Sequence, residues 1–263
     1  MTRVLSALVL LPLVIGTVWY LPPIGTLVLA SIAALIAFVE YAGIAAALGS
    51  PIPRGIIGIA VVAVCIAVGG SFLAIDVVIM SAVITVGALA VASGTPGPRV
   101  LHDSAASLLP IAYIGLPLGA IAAVRALGGR EAVLLLMLTI VISDSAQYYT
   151  GRAFGRRPLA PTISPKKTLE GAFGGLIFGT LAMAVGGRYV FPEANLFLLV
   201  LVSASIAALG IVGDLFESLL KRSAGVKDSS HIIPGHGGVL DRIDSWLFAG
   251  PVYYVFVRYL QAP

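Results

Sequence analysis

Three stretches in the second half of the chain place side chains suited to phosphate and hard cations among apolar residues. The first opens at Asp144, directly after the apolar run Leu134–Ser143 and ahead of Ser145, Gln147, Tyr148 and Tyr149. A carboxylate in a membrane helix costs about 2.5–3.5 kcal/mol on insertion scales, so it normally faces a cavity and has a task. Pairing with Arg152 at the helix end is the competing structural reading. Further on, Ser164-Pro165-Lys166-Lys167-Thr168-Leu169-Glu170-Gly171 sets Lys166, Lys167 and the Thr168 hydroxyl before a helix expected to begin near Glu170–Gly171. Backbone N–H groups at such a start, with lysines beside them, make a phosphate cradle. A basic loop held on the cytoplasmic side accounts for the same residues.

The second stretch is Gly213-Asp214-Leu215-Phe216-Glu217-Ser218-Leu219-Leu220-Lys221-Arg222. Asp214, Glu217, Ser218 and Lys221 fall at i, i+3, i+4 and i+7, so a polar stripe runs down an otherwise apolar helix. An i,i+4 ion pair explains Glu217 and Lys221 but not Asp214, one turn deeper. The third runs from Lys227 to Asp244 and holds Asp228, Pro234, Gly235, His236, Gly237, Gly238, Asp241 and Arg242. Its glycines give a tight backbone that approaches a ligand closely. Asp241 and Asp244 sit at i, i+3 where a helix starts, a spacing that the charge preference of helix N-termini also favours.

Carboxylate oxygens beside phosphate-binding cations suit Mg²⁺-assisted phosphoryl or nucleotidyl transfer. Zinc is not the expected metal, because one Cys and three dispersed His make no ligand set. No Gly-x-Ser-x-Gly elbow supports a Ser/His/Asp hydrolase.

Positioning these groups falls to membrane helices. The 263 residues are 59% hydrophobic and 11% charged, with a mean hydropathy of +1.05; a soluble domain carries about 25% charged residues. Cys65 has apolar neighbours and no second Cys to pair with. Nine apolar stretches near the roughly 20 residues a span needs are read at 4–20, 24–48, 55–68, 72–93, 104–124, 132–149, 171–190, 196–220 and 245–260. The third is short and lies only Gly69–Gly70–Ser71 from the fourth, so the pair also reads as one broken element. Nine spans put 12 of the 16 Lys and Arg on the side of the N-terminus, which predicts a cytoplasmic N-terminus. Leu21–Pro22–Pro23 lacks a small-residue cleavage site, so the first span is expected to be an uncleaved helix. The expected fold class is therefore an all-α, polytopic integral membrane protein in the cell membrane. Residues 1–100 are read as lipid-facing, structural helices, and 101–263 as the catalytic region with motifs at 144–171 and 213–244. The basic balance is assigned to topology and phosphates, with no nucleic-acid partner.

The run Ser218-x-Leu220-Lys221-Arg222-x₄-Lys227-Asp228-x-Ser230-x₂-Ile233-Pro234-x-His236-Gly237-Gly238-Val239-x-Asp241-Arg242-Ile243-Asp244 resembles the signature of the phosphatidate cytidylyltransferases without departure. Asp144 to Gly171 is similar as well, except that Leu169 stands where the family carries tryptophan. Farther upstream the likeness is confined to hydropathy and Glu40. The resemblance implies that CTP and phosphatidate give CDP-diacylglycerol and pyrophosphate. It also implies a Mg²⁺ centre, with K⁺ as a possible second cation, held by Asp214 and Asp241, with Asp144 as third ligand or supporting group. Lys166 and Lys167, with Thr168, would meet the CTP phosphates. Lys221, Arg222, Lys227 and Arg242 would divide between lipid phosphate and pyrophosphate. His236 would position a phosphate oxygen or carry a proton, and Gly237 and Gly238 would offer N–H groups. Ser218, Asp228 and Asp244 would support the bound substrates and cations. Membrane lipids surround such an enzyme, its site opens at the cytoplasmic face, and the family suggests a homodimer. The alternatives are a CTP-dependent polyprenol kinase and a cation-coupled transporter using Glu40, Asp76, Asp144 and Asp214. Crowding of charge on one face argues against transport, which needs access from both sides.

Overall fold

The computed structural model describes residues 2–94, 96–235 and 237–261. Helices dominate: α1 (Thr2–Tyr20), α2 (Pro23–Ala47), α3 (Arg54–Gly70), α4 (Ile75–Ala92), α5 (Arg99–Pro110), a π-helical turn (Ile111–Gly115), α6 (Leu116–Phe154), α7 (Leu169–Val190), α8 (Leu196–Ser223) and α9 (Leu240–Leu260). Local sequence sets several boundaries. Pro23 opens α2, where its missing N–H costs nothing. The Asn195 side chain accepts from Phe197 N at 2.9 Å and Leu198 N at 3.3 Å, capping α8. Helices α3 and α4 are separate, broken around Ser71, whose φ is 53°. Asp76, in the first turn of α4, is placed where a negative charge complements the helix dipole.

Five helical stretches among the described residues are long and apolar enough to cross a membrane: Pro23–Ala47, Ile75–Ala92, Arg99–Phe154, Leu169–Val190 and Leu196–Ser223. The third has 56 residues, about 84 Å if it were straight, against a hydrocarbon core of about 30 Å. It is broken at Gly129, where φ is 81° and ψ is −179°. Leu8–Tyr20 and Arg54–Gly70 are shorter apolar helices. These elements make an all-α membrane protein, and length and apolarity account for part of the expected count of nine.

One departure from the all-α expectation lies in the basic segment. Pro158–Ala160 (β1) and Ser164–Thr168 (β2) pair antiparallel, Pro158 opposite Thr168 and Ala160 opposite Ser164. The lysine pair therefore lies on a strand, and α7 begins at Leu169, directly after it.

The chain forms two compact units. The first comprises residues 1–123 and 223–242. Its core joins Phe38, Tyr41 and Ile44 of α2 to Ile57, Val61 and Cys65 of α3, and Tyr41 Oη donates to Ala106 O at 3.1 Å. Glycines let backbones close up here: a Cβ on Gly119 would lie 2.6 Å from Cys65 O. The second comprises 124–222 and 243–263. In it Tyr253 Oη donates to Ala132 O at 2.9 Å, and α7 packs closely on α6. A Cβ on Gly171 would lie 2.7 Å from Gln147 O, and one on Gly175 3.0 Å from Ser143 O. That closeness fixes the segment of α6 carrying Asp144.

Candidate active site

In the second unit the hairpin is tied down by its own ends. The Thr168 hydroxyl oxygen accepts from Gly171 N at 3.1 Å and caps α7. Glu170 Oε2 accepts from Arg156 N at 3.0 Å and Arg157 N at 3.2 Å, holding the entry to β1. With the strand so fixed, Lys167 reaches α8 and donates to Asp214 Oδ2, while Lys166 is exposed. Thr168, expected to meet substrate, is used as a helix cap.

Asp214 is the centre of a charged group. Ser218 Oγ lies 3.5 Å from its Oδ1, one turn along α8. Asp244 experiences the negative charges of Asp214 and Asp144 and the offsetting charge of Lys167. Helices α8 and α9 come close because residue 213 is glycine: a Cβ there would lie 2.5 Å from Asp244 O. Asp144 lines a narrow cleft with Thr139, Ser143, Gly210 and Ser245. Arg152, its competing partner from the sequence, donates to the Tyr148 hydroxyl at 3.4 Å. The i,i+4 pair is present as well: Lys221 meets Glu217, with side chains 10% and 0% exposed. Arg222 Nε lies 3.4 Å from Ile163 O in the hairpin turn.

The first unit holds the glycine loop. Ile233 N donates to Gly237 O at 2.9 Å, closing a turn in which Gly237 has φ 78°, a conformation L side chains rarely adopt. Asp241 Oδ2 accepts from Ser229 N at 2.9 Å, Ser229 Oγ at 2.7 Å and Gly238 N at 2.8 Å. Those three donors hold this carboxylate against the glycine loop. Lys227, Asp228 and Arg242 are exposed. His236 lies outside the described residues.

Sequence reasoning left Glu40 without a role. It is 3% exposed on α2, and both its oxygens face the glycine loop. Oε1 accepts from Ser230 Oγ at 2.7 Å and Val239 N at 2.9 Å; Oε2 accepts from Leu240 N at 2.7 Å and lies 3.0 Å from Ser229 Oγ, whose one hydrogen it shares with Asp241 Oδ2. The available signal was the cost of a carboxylate inside an apolar helix.

Among the described residues no three Asp, Glu, His or Cys side chains converge as a metal site. The donor chemistry nevertheless fits a hard cation: Asp144, Asp214 and Asp244 offer carboxylate oxygens, Gly213 lets the helix of Asp214 approach Asp244, and a primary ammonium sits on Asp214.

Apolar helices bearing carboxylates, with a basic hairpin seated on one of them, define a membrane protein whose charged side chains meet at Asp214. The chain matches the cytidylyltransferase family over residues 1–260 and belongs to it. It is similar to the phosphatidate cytidylyltransferase of Staphylococcus epidermidis, 40% identical over 155 residues, 59% of each chain. The phosphatidate cytidylyltransferase of Haemophilus influenzae is 42% identical over 132 residues, 49% of this chain and 46% of that one. That of Helicobacter pylori is 36% identical over 176 residues, 67% of this chain and 65% of that one. The chain thus spans about half to two thirds of the length of these curated relatives.

Proposed function

We propose that the protein is a phosphatidate cytidylyltransferase. A phosphate oxygen of phosphatidate attacks the α-phosphorus of CTP, the bond to the β-phosphate breaks, and CDP-diacylglycerol and pyrophosphate result. The observation that carries this reading is the seating of Lys167 on Asp214 beside Asp144 and Asp244. Cationic and anionic groups meet there at the end of a long apolar helix, a setting suited to both a hard cation and a polyphosphate.

The nucleophile is already anionic at neutral pH, so catalysis must chiefly offset repulsion between two polyanions and align them. Asp144 and Asp214 would hold Mg²⁺, and Asp241 joins them by its place in the motif, with K⁺ as a second cation. The chemistry such a cation would supply there is neutralisation of charge on the phosphates. Lys166 and Lys167 receive the CTP phosphates, Lys167 exchanging the Asp214 carboxylate for phosphate oxygen. Arg222, Lys227 and Arg242 serve the lipid phosphate and the leaving pyrophosphate, and Lys221 contributes charge from its pair with Glu217. Ser218, Asp228 and Asp244 support these groups, His236 orients a phosphate oxygen, and Gly237 and Gly238 offer N–H groups. We place the enzyme in the plasma membrane as a nine-span homodimer, with the N-terminus and active site cytoplasmic. Residues 101–263 carry the catalytic motifs, and the first 100 form structural, lipid-facing helices. The 12-to-4 distribution of Lys and Arg supports that orientation.

The test is purified protein in detergent with phosphatidate, Mg²⁺ and α-³²P-CTP, following label into the organic phase beside Asp214→Asn. Labelled CDP-lipid that is lost in the variant is the expected result. Label entering lipid only from γ-³²P-CTP would replace this reading with a lipid kinase.

A further inference from the structure

Glu40 sits mid-helix in α2, a rigid support, among the buried side chains of Ala37, Phe38, Tyr41 and Ile44. A carboxylate buried there without partners would be costly, yet its four donors come from residues 189 to 200 positions away. Two of them are Val239 N, immediately before α9, and Leu240 N, at its first residue, where backbone N–H groups have no helical acceptor and the dipole favours an anion. The other two are the hydroxyls of Ser229 and Ser230.

The arrangement does more than cap a helix. Ser229 Oγ lies 3.0 Å from Glu40 Oε2 and 2.7 Å from Asp241 Oδ2, so one hydroxyl couples the α2 carboxylate to a carboxylate of the signature. Gly238 lies between them: a Cβ there would strike both the Glu40 carboxylate and the Ser229 hydroxyl. The backbone N–H of the same glycine donates to Asp241. Position 238 therefore has to be glycine because Glu40 occupies the side-chain space, and the loop has little freedom left once Glu40 is in place.

We infer that Glu40 is a positioning residue for nucleotidyl transfer, setting the Gly237–Gly238 turn and the Asp241 carboxylate through Ser229, an inference that rests on the reaction proposed above. Charge and length are both required. Glutamine retains the shape but presents an NH₂ group to N–H and O–H donors.

The experiment compares wild type, Glu40→Gln and Ser230→Ala as full-length protein in detergent. It uses three readouts: hydrogen–deuterium exchange of residues 224–240 without substrates, melting temperature, and kcat and KM for CTP normalised to folded protein. Glu40→Gln is expected to speed exchange across 229–240 and to lower kcat about 10–100-fold, as lost supporting partners of ligands do. CTP KM should stay within about threefold, a smaller change than in kcat. A merely structural role would reduce the folded fraction and leave the turnover of surviving molecules unchanged, and that result overturns the inference. So does reduced kcat with unchanged exchange. Should Glu40→Gln fail to fold, Ser230→Ala decides, since it removes one donor and keeps the charge: about 2–10-fold lower kcat with faster loop exchange is expected, and wild-type behaviour in both refutes it. Absence of transfer by wild type refutes the reaction itself, whereas normal transfer and exchange in Glu40→Gln refute only the positioning role.

Discussion

Replacing Glu217 with leucine tests how α8 carries its polar stripe. Its side chain is fully buried, that of Lys221 is 10% exposed, and the two meet one turn apart. Leucine of similar bulk deprives the ammonium of this carboxylate in a nearly dry environment. Removing one member of a buried ion pair costs about 3–5 kcal/mol. For a chain of this size each kcal/mol moves the melting midpoint by about 2–4 °C, so a fall of about 6–20 °C follows. Changing both residues, Glu217→Leu with Lys221→Met, removes both buried charges and should recover most of that loss. Tryptophan fluorescence during heating in detergent measures the midpoints, and cytidylyl transfer is assayed on the same samples. The double variant should melt near wild type and transfer poorly, because Lys221 is proposed above to contribute charge toward phosphate. A single variant melting within about 2 °C of wild type would refute the pair as a support of α8. A fully active double variant would remove Lys221 from the reaction.

Gly238→Ala should disable transfer without removing a charged group, because its methyl strikes Glu40 and Ser229; overpacking of about 1–3 kcal/mol should appear as a lower melting temperature and at least about tenfold less transfer. Glu170→Gln weakens the anchor on Arg156 N and Arg157 N, so trypsin should cut the 156–167 segment faster than in wild type. Chelating divalent cations with EDTA should abolish transfer, and adding Mg²⁺ back should restore it; undiminished transfer in EDTA would remove the cation from the proposed reaction.

Much of this was legible because helices repeat. The stripe of Asp214, Glu217, Ser218 and Lys221 follows from spacing alone, and the Glu217–Lys221 pair is its direct result. The gap read between residues 124 and 132 contains the break at Gly129. The β-hairpin was not legible: Ser-Pro-Lys-Lys-Thr has no apolar alternation, and its partner Pro158–Ala160 is three residues long. Nor was Lys167 on Asp214, 47 positions apart, since no local period links a strand to a helix end. Glu40 announced itself by the cost of its charge, but its donors are backbone N–H groups and serine hydroxyls, which every stretch of chain can offer.

The distance in sequence between Glu40 and its donors also sets a timetable. A ribosome adds about 5–20 residues per second, so residues 229–240 follow Glu40, 189 to 200 positions earlier, by about 10–40 s. Throughout that interval α2 enters the bilayer with an acidic side chain whose eventual hydrogen-bond donors have not yet been made. The nascent helix must therefore keep this group hydrated until the loop arrives, which makes closure of the Glu40 clamp a late event in biogenesis.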